Sequence, residues 1–441
     1  MKLHPLNLSL VLATALVAAS GAQAQSLLQI YQEAKGHDAT YAAAKAQAEA
    51  TAAKAAQTKA ALLPTLGMSF SKTRIQAENP SGAQLTDYNN KSSGLSLTQP
   101  IFSASNWATY KQGEQSLQLS ATQLLVAEQE LILRVSQAYF DVLTTAEALT
   151  SVQAQKKAVS EQLASAKRTF EVGTATIVDT REAEASYDRV ISLELSAEND
   201  LRTKKLALDQ LAGKSNLQPA PLNLKSALTA PQPQDAEAWV KQALENNTTL
   251  QQLRVAHEVA KLDTDKAKAG HLPTLELSAK YGETRCTGST VPQPTTCSND
   301  AKSLGLTLNI PLFAGFAVQN RVKETVSLQE KTRAELEAAE RTVDQNTRSA
   351  YFGLLTGLSQ VKALVASETS SQSVVDATKL GYQVGVKTNL DVLNSQTQLF
   401  QTKRDLAKAR YDVLQGQLKL RQAAGVLKAE DVQSINDLLQ K

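Results

Sequence analysis

The side chains that ordinarily do chemistry are few in this chain and badly spaced for it. After His4 the histidines are His37, His257 and His271, and none stands in a His-Glu-x-x-His pattern that could hold zinc. There is no Gly-x-Ser-x-Gly elbow to activate a nucleophile and no phosphate-cradling P-loop. Paired carboxylates such as Glu182 and Glu184 lie among Lys and Arg, where a solvated helix face is the simplest reading. Cys286 and Cys297 are the two cysteines, too few for zinc without a neighbouring histidine. In an exported chain an even, closely spaced pair favours a disulfide. The residues between them, 287–296, include Gly288, Pro292 and Pro294 and read as a surface loop. No catalytic centre, cofactor or resident metal is expected.

Two short stretches remain informative. The first is Phe170-Glu171-Val172-Gly173-Thr174-Ala175-Thr176, followed by Asp179; the second is Tyr382-Gln383-Val384-Gly385-Val386-Lys387-Thr388, followed by Asp391 and Asn394. Gly173 and Gly385 suit the left-handed residue that ends a helix. Thr176 and Thr388 can cap the next helix, with Asp179 and Asp391 at the third helical position behind them. Capping by itself explains these residues. Repeated by symmetry around a tunnel, the same carboxylates would also form an acidic ring.

The elements that carry these turns come in two copies. Ala61-Leu62-Leu63-Pro64-Thr65-Leu66 returns as Ala269-Gly270-His271-Leu272-Pro273-Thr274-Leu275, and Gln137-Ala138-Tyr139-Phe140 returns as Ser349-Ala350-Tyr351-Phe352. Pro64 and Pro273 are 209 residues apart, and Gly173 and Gly385 are 212 apart, so the copies are colinear. Each copy reads as an Ala-rich helix, two strands and a very long helical run that breaks at Val-Gly and returns. The first Ala-rich helix spans 26–63 and stops at Pro64. In the first copy Leu66, Met68 and Phe70 alternate with small residues; a turn-rich segment with Asn79-Pro80-Ser81-Gly82 and Asn89-Asn90 follows, and then a second strand through Leu95 and Leu97 to Pro100. In the second copy strands run over 275–281 and 304–312, with strict period two. Long helices are expected over 103–172 and 318–384, and a return helix over 390–424. Helices of that length build no compact core and must pack side by side.

Composition agrees. Of the 441 residues 42% are hydrophobic but only 5% aromatic, which is the balance of long helices rather than of a thick globular core. With 46 basic and 43 acidic residues the net charge is +3, and the lack of a basic stripe argues against nucleic acid as a partner. Lys2, the apolar stretch 6–19 and Ala22-Gln23-Ala24 read as a signal peptide over 1–24, too short to span a bilayer. Four strands cannot close a barrel alone. An exported chain of this kind points to several copies pooling strands in a membrane barrel, apolar faces to lipid. A segment rich in proline at 217–234 reads as a connector on the outside of the bundle, and 426–441 as a short polar helical tail.

Taken in order, these motifs resemble those of TolC-type outer-membrane factors. The motifs are Leu-Pro-Thr-Leu before each strand pair, Gln-Pro-Ile-Phe (99–102) and Ile-Pro-Leu-Phe (310–313) after them, and the two Val-Gly-x-x-Thr turns. The resemblance covers about residues 26–427. It implies a mixed α/β membrane protein with an internal duplication, 25–225 and 226–441. Each protomer of a homotrimer would give four strands to one β-barrel that is continuous with a long α-helical barrel in the periplasm. The connector near 214–235 and the C-terminal tail would form an equatorial belt. By the same resemblance the protein has no enzymatic activity. It would be the outer-membrane exit duct of tripartite drug efflux, type I protein secretion or both, in contact with outer-membrane lipid, a periplasmic adaptor (membrane fusion) protein and an inner-membrane pump or ABC transporter.

Carried over residue by residue, Asp391 matches the aspartate of the constriction ring, and Asn394 stands where a second aspartate is frequent. Lys387 stands where arginine is usual and is a weaker bidentate partner. Tyr382 matches the tyrosine that ties the inner hairpin to the outer one, and Asp179 matches a partner of those ties. The tips Val172, Gly173, Thr176, Val384, Gly385 and Thr388 would receive the adaptor's helical hairpins. A pore-less periplasmic coiled-coil scaffold is the competing reading; it has no need of strands with a lipid-compatible face. An enzyme is the third.

Overall fold

The structure, a computed structural model, describes residues 25–78, 85–223, 228–290 and 293–439. The signal peptide read over 1–24 and the Asn79-Pro80-Ser81-Gly82 turn lie outside the described residues. The chain divides into two compact units, each drawing on both halves of the sequence.

One unit comprises residues 43–126 and 248–342. It holds an antiparallel sheet in the order β1-β2-β3-β4. The strands are β1 (Thr65–Glu78), β2 (Leu85–Phe102), β3 (Thr274–Thr290) and β4 (Gln293–Asn309). Period two gives the sheet two unlike faces. One face gathers Leu66, Met68, Leu95, Leu97, Leu304 and Leu306, brought side by side by the register. The other is built of small and polar residues: Gly67, Ser69, Gly94, Ser96, Gly282 and Ser303. Leu66, Met68, Phe70 and Leu304 are each two-thirds or more exposed.

The strands run farther than the sequence suggested. Asn89 and Asn90 sit inside β2 rather than in a turn. The cysteine segment is strand through Thr290 and again from Gln293, and Cys286 faces Cys297 directly across the β3–β4 ladder. Their Sγ atoms are bonded, with Cα atoms 4.8 Å apart. The disulfide is thus a rung between strands, not the neck of a loop. Polar and small residues that look loop-forming are acceptable here because ladder hydrogen bonds satisfy the backbone and neither face needs to be uniformly apolar. In the other direction β4 stops at Asn309, short of the expected 312; Pro311 has no N–H for the ladder.

The other unit comprises residues 25–42, 127–247 and 343–439 of the described chain. Its helices are α1 (Leu27–His37), α4 (Ile177–Ala212), α5 (Ala236–Asn246), α8 (Asn389–Ala423) and α9 (Ala429–Asn436). The greater parts of α3 (Ala104–Glu171) and α7 (Ala317–Gln383) belong to it too. The first Ala-rich helix is not continuous: α1 ends at His37 and α2 (Ala39–Ala60) begins after Asp38. Asp38 accepts a hydrogen bond from the Tyr41 N–H at 2.7 Å and pairs with Arg134 at 3.0 Å, so it works as the cap of α2. α6 (Thr248–Lys268) is the counterpart before β3.

A core of Leu27, Ile30, Leu131, Tyr139, Phe140 and Leu414 centres the unit. The proline-rich connector is not external to it, because Leu217, Ala220 and Leu222 are buried in that core. The buried Tyr139 hydroxyl donates to the Ala220 carbonyl at 2.9 Å. Among the described residues no helix is long and apolar enough to cross a membrane.

Candidate functional site

The two hairpin turns end α3 and α7 by the same device. Gly173 has φ +76° and Gly385 φ +77°, a conformation open to glycine at no steric cost. At the first turn the Gly173 N–H bonds the Phe170 carbonyl at 2.9 Å and the Thr174 N–H bonds the Thr169 carbonyl at 2.9 Å. At the second, Gly385 N–H bonds Tyr382 O at 3.1 Å and Val386 N–H bonds Gly381 O at 2.8 Å. Both are Schellman closures, which satisfy the last carbonyls of the helix.

The return helices begin with reciprocal capping boxes. The Asp179 N–H donates to the Thr176 hydroxyl at 3.3 Å, and the Thr176 N–H and hydroxyl donate back to the Asp179 carboxylate at 3.0 and 2.7 Å. Thr388 and Asp391 repeat this at 3.2, 2.9 and 2.9 Å. Hydrogen bonds from the Thr388 backbone and hydroxyl, with Lys387 adding charge, hold the Asp391 carboxyl below the usual aspartate range. The Lys387 ammonium stands 3.9 Å from Asp391 with both side chains well exposed, which makes a weak pair. Asn394 is exposed on the next turn of α8.

Tyr382, Lys387, Thr388, Asp179 and Thr176 line one open cleft of about 660 Å³. The expected direct tie is not made, however. Among the described residues no hydrogen bond or ion pair joins Tyr382 or Lys387 to Asp179. The Asp179 carboxylate accepts both cap bonds through one oxygen, Oδ2.

The bond between the hairpins is made by a residue that sequence reasoning passed over. Asn389, fully buried, donates from Nδ2 to the Asp179 carbonyl at 3.0 Å. Its Oδ1 accepts from the Gln162 amide of α3 at 2.5 Å. Farther along, α8 is clipped to α3 by Arg404 on Gln155 at 3.2 Å, Ser151 on the Phe400 carbonyl at 3.3 Å and Tyr411 on Glu147 at 2.5 Å. Leu393 belongs to one buried apolar cluster with Val152, Val159, Ala166, Ala183 and Val190. The only signal in the sequence was a polar residue at the first helical position, which is unremarkable there.

The tips are apolar and open. Val172 is 73% and Val386 78% exposed, and a Cβ added at Gly173 or Gly385 would touch nothing. Among the described residues no three His, Cys, Asp or Glu side chains gather as a metal site.

Long paired helices that turn on capped glycines, together with a two-faced four-stranded sheet, define a class of outer-membrane channel-tunnels. The family model described as outer membrane efflux protein matches residues 30–214 and again 239–426. Outer membrane protein TolC of Escherichia coli (strain K12) is 32% identical over 426 residues, covering 95% of this chain and 86% of that protein. The proteases secretion protein PrtF of Dickeya chrysanthemi is 28% identical over 437 residues, covering 96% and 94%. In fold the chain is similar to the crystal structure of the outer membrane protein VceC from Vibrio cholerae, with a TM-score of 0.78 at 18% identity over 90% of this chain and 96% of that one. The chain belongs to the outer membrane efflux protein family. It is an outer-membrane protein of export, in a family of transport channels rather than enzymes.

Proposed function

We propose that three copies of this chain assemble into one exit duct, and that the second hairpin of each copy is its periplasmic gate. The observation that carries the reading is the sheet. It exposes an apolar face, and in a single chain β1 and β4 each have one unpaired edge. Lipid cannot satisfy those edges, whereas β4 of one copy can pair with β1 of the next until the ring closes. The duplicated units are then 25–225 and 226–441, following a cleaved leader over 1–24.

At the helical end, Asp391 of each copy faces the axis and draws cations in, because like charges in a confined site act more strongly than in bulk water. With Asn394 beside it, the ring carries one carboxylate per chain at this level. The Gln162–Asn389–Asp179 bridge holds the inner hairpin against the outer one in the closed state, and Tyr382 and Lys387 line the same cleft. The open apolar tips at Val172-Gly173 and Val384-Gly385, with Thr176 and Thr388 behind them, receive a periplasmic adaptor that links the duct to an inner-membrane pump or ABC transporter. Drugs, secreted proteins or both would pass.

Assembly tests the reading first. Membrane-extracted protein should have the mass of a trimer and migrate differently after heating. A stable detergent-soluble monomer with full strand content contradicts it.

A further inference from the structure

Beyond the apolar rows, the lipid-compatible face of the sheet changes character. The register sets Lys72 directly opposite Lys91, and Lys91 directly opposite Arg285. All three are exposed and lie on the same face as Phe70, Met68 and Leu66. Lys72 is six residues past Leu66, about 20 Å along the strand. It lies toward the strand–strand connections and away from the strand ends that lead into helices.

Like charges directly opposite each other destabilise a ladder, and here three stand in one row. Compensation within the chain is incomplete. Arg285 pairs with Glu283, whose cross-strand neighbour is Asp300. On the next row Arg74 is engaged by Asp87 in a bidentate pair at 2.9 and 2.7 Å; on the other side, two rows back, Lys302 lies over the Tyr281 ring. Among the described residues no ion pair engages Lys72 or Lys91. Around them Phe70, Ser93, Glu283 and Arg285 complete a shallow groove of about 510 Å³.

We infer that this groove binds the phosphorylated headgroup of a membrane lipid, with the lipid's acyl chains lying along Phe70, Met68, Leu66 and Leu95. The lipid phosphates supply the counter-charge that the row of Lys72, Lys91 and Arg285 lacks, and basic groups at a membrane interface attract anionic headgroups. A lipid fits better than a soluble anion because the apolar strip starts at the groove itself: Phe70 lines both. On the reading that the strands form a membrane barrel with the helices in the periplasm, on which this inference rests, the groove sits at the outer leaflet. It would anchor the barrel's height in the bilayer.

The test uses the assembled protein, purified in neutral detergent and stripped of lipid. Native mass spectrometry counts molecules retained from three probes: bis-phosphorylated lipid A, the same lipid with its phosphates removed, and inorganic phosphate. Wild-type protein should bind the phosphorylated lipid at least tenfold more tightly than the dephosphorylated one, and inorganic phosphate at equal concentration should not displace it. Lys72→Gln/Lys91→Gln should lose at least tenfold in affinity, and Lys72→Arg/Lys91→Arg should keep it. Equal retention of the two lipids by wild-type protein would overturn the inference even if the glutamine variant failed to assemble. So would displacement by inorganic phosphate. An intact oligomer without lipid preference removes this site but leaves the barrel; a water-soluble monomer removes the barrel itself.

Discussion

The two hairpin turns are near-copies in chemistry and unlike in surroundings. Each has a glycine at positive φ, a threonine cap and an aspartate that closes the capping box. They part at the first helical residue. Ile177 in the first turn is 47% exposed, whereas Asn389 in the second is fully buried and bonded on both sides of its amide. The return helix α8 buries residues along most of its length, from Val392 to Leu420, while α4 buries few. The two turns thus share their local caps. The second turn is joined to the first hairpin through Asn389, whose partner Gln162 lies 227 residues away.

If both tips are docking surfaces, blocking both should have the largest effect. Gly173→Trp with Gly385→Trp should cut export in cells by two orders of magnitude or more while the trimer still reaches the outer membrane. Unimpaired efflux and secretion would remove the docking role. A smaller effect should separate the aspartates. Asp391→Asn keeps an acceptor for the cap and removes the charge, so cation preference in planar bilayers should fall several-fold. Asp179→Asn should leave it unchanged, and equal effects would mean that the turns are functionally equivalent.

Acid should loosen the second turn. The Asp391 carboxyl is held below its ordinary range in the folded state, so its stabilising contribution is complete above the unfolded value near pH 4 and is lost as pH falls through the lower folded value. Amide exchange over 386–391, corrected for intrinsic rates, should rise below about pH 4, and Asp391→Asn should abolish that rise. An identical acid response in the variant would assign it to another group. The smallest change is expected far from the turns. The Cys286–Cys297 bond spans 11 residues of sequence and closes a short loop. Cys286→Ala/Cys297→Ala should therefore assemble normally, with exchange altered only at the end of the β3–β4 hairpin; loss of assembly would show a wider role.

Much of this was legible in the sequence for a plain reason: period two at 304–308 and the Val-Gly-x-x-Thr turns are local signals. The turns came out with the expected glycine geometry and caps. What escaped was set by distant packing. Asn389 is an ordinary helix-start residue until α3 lies beside α8. The strand lengths escaped because Asn89, Asn90 and the cysteine segment have loop-like composition, yet the ladder continues through them. The break at Asp38 was available in principle, since Gly36-His37-Asp38 carries a helix stop and a cap.

The measurement that bears most directly on the asymmetry of the turns exchanges their distinguishing residues. Asn389→Ile gives the second turn the first turn's residue and removes both bonds of the bridge, leaving the half-buried Gln162 amide and the Asp179 carbonyl without that partner. Ile177→Asn does the reverse on an exposed surface. In single-channel recordings Asn389→Ile should raise the resting conductance several-fold, and Ile177→Asn should leave it at the wild-type level. Wild-type conductance in Asn389→Ile, with the trimer intact, would contradict the account.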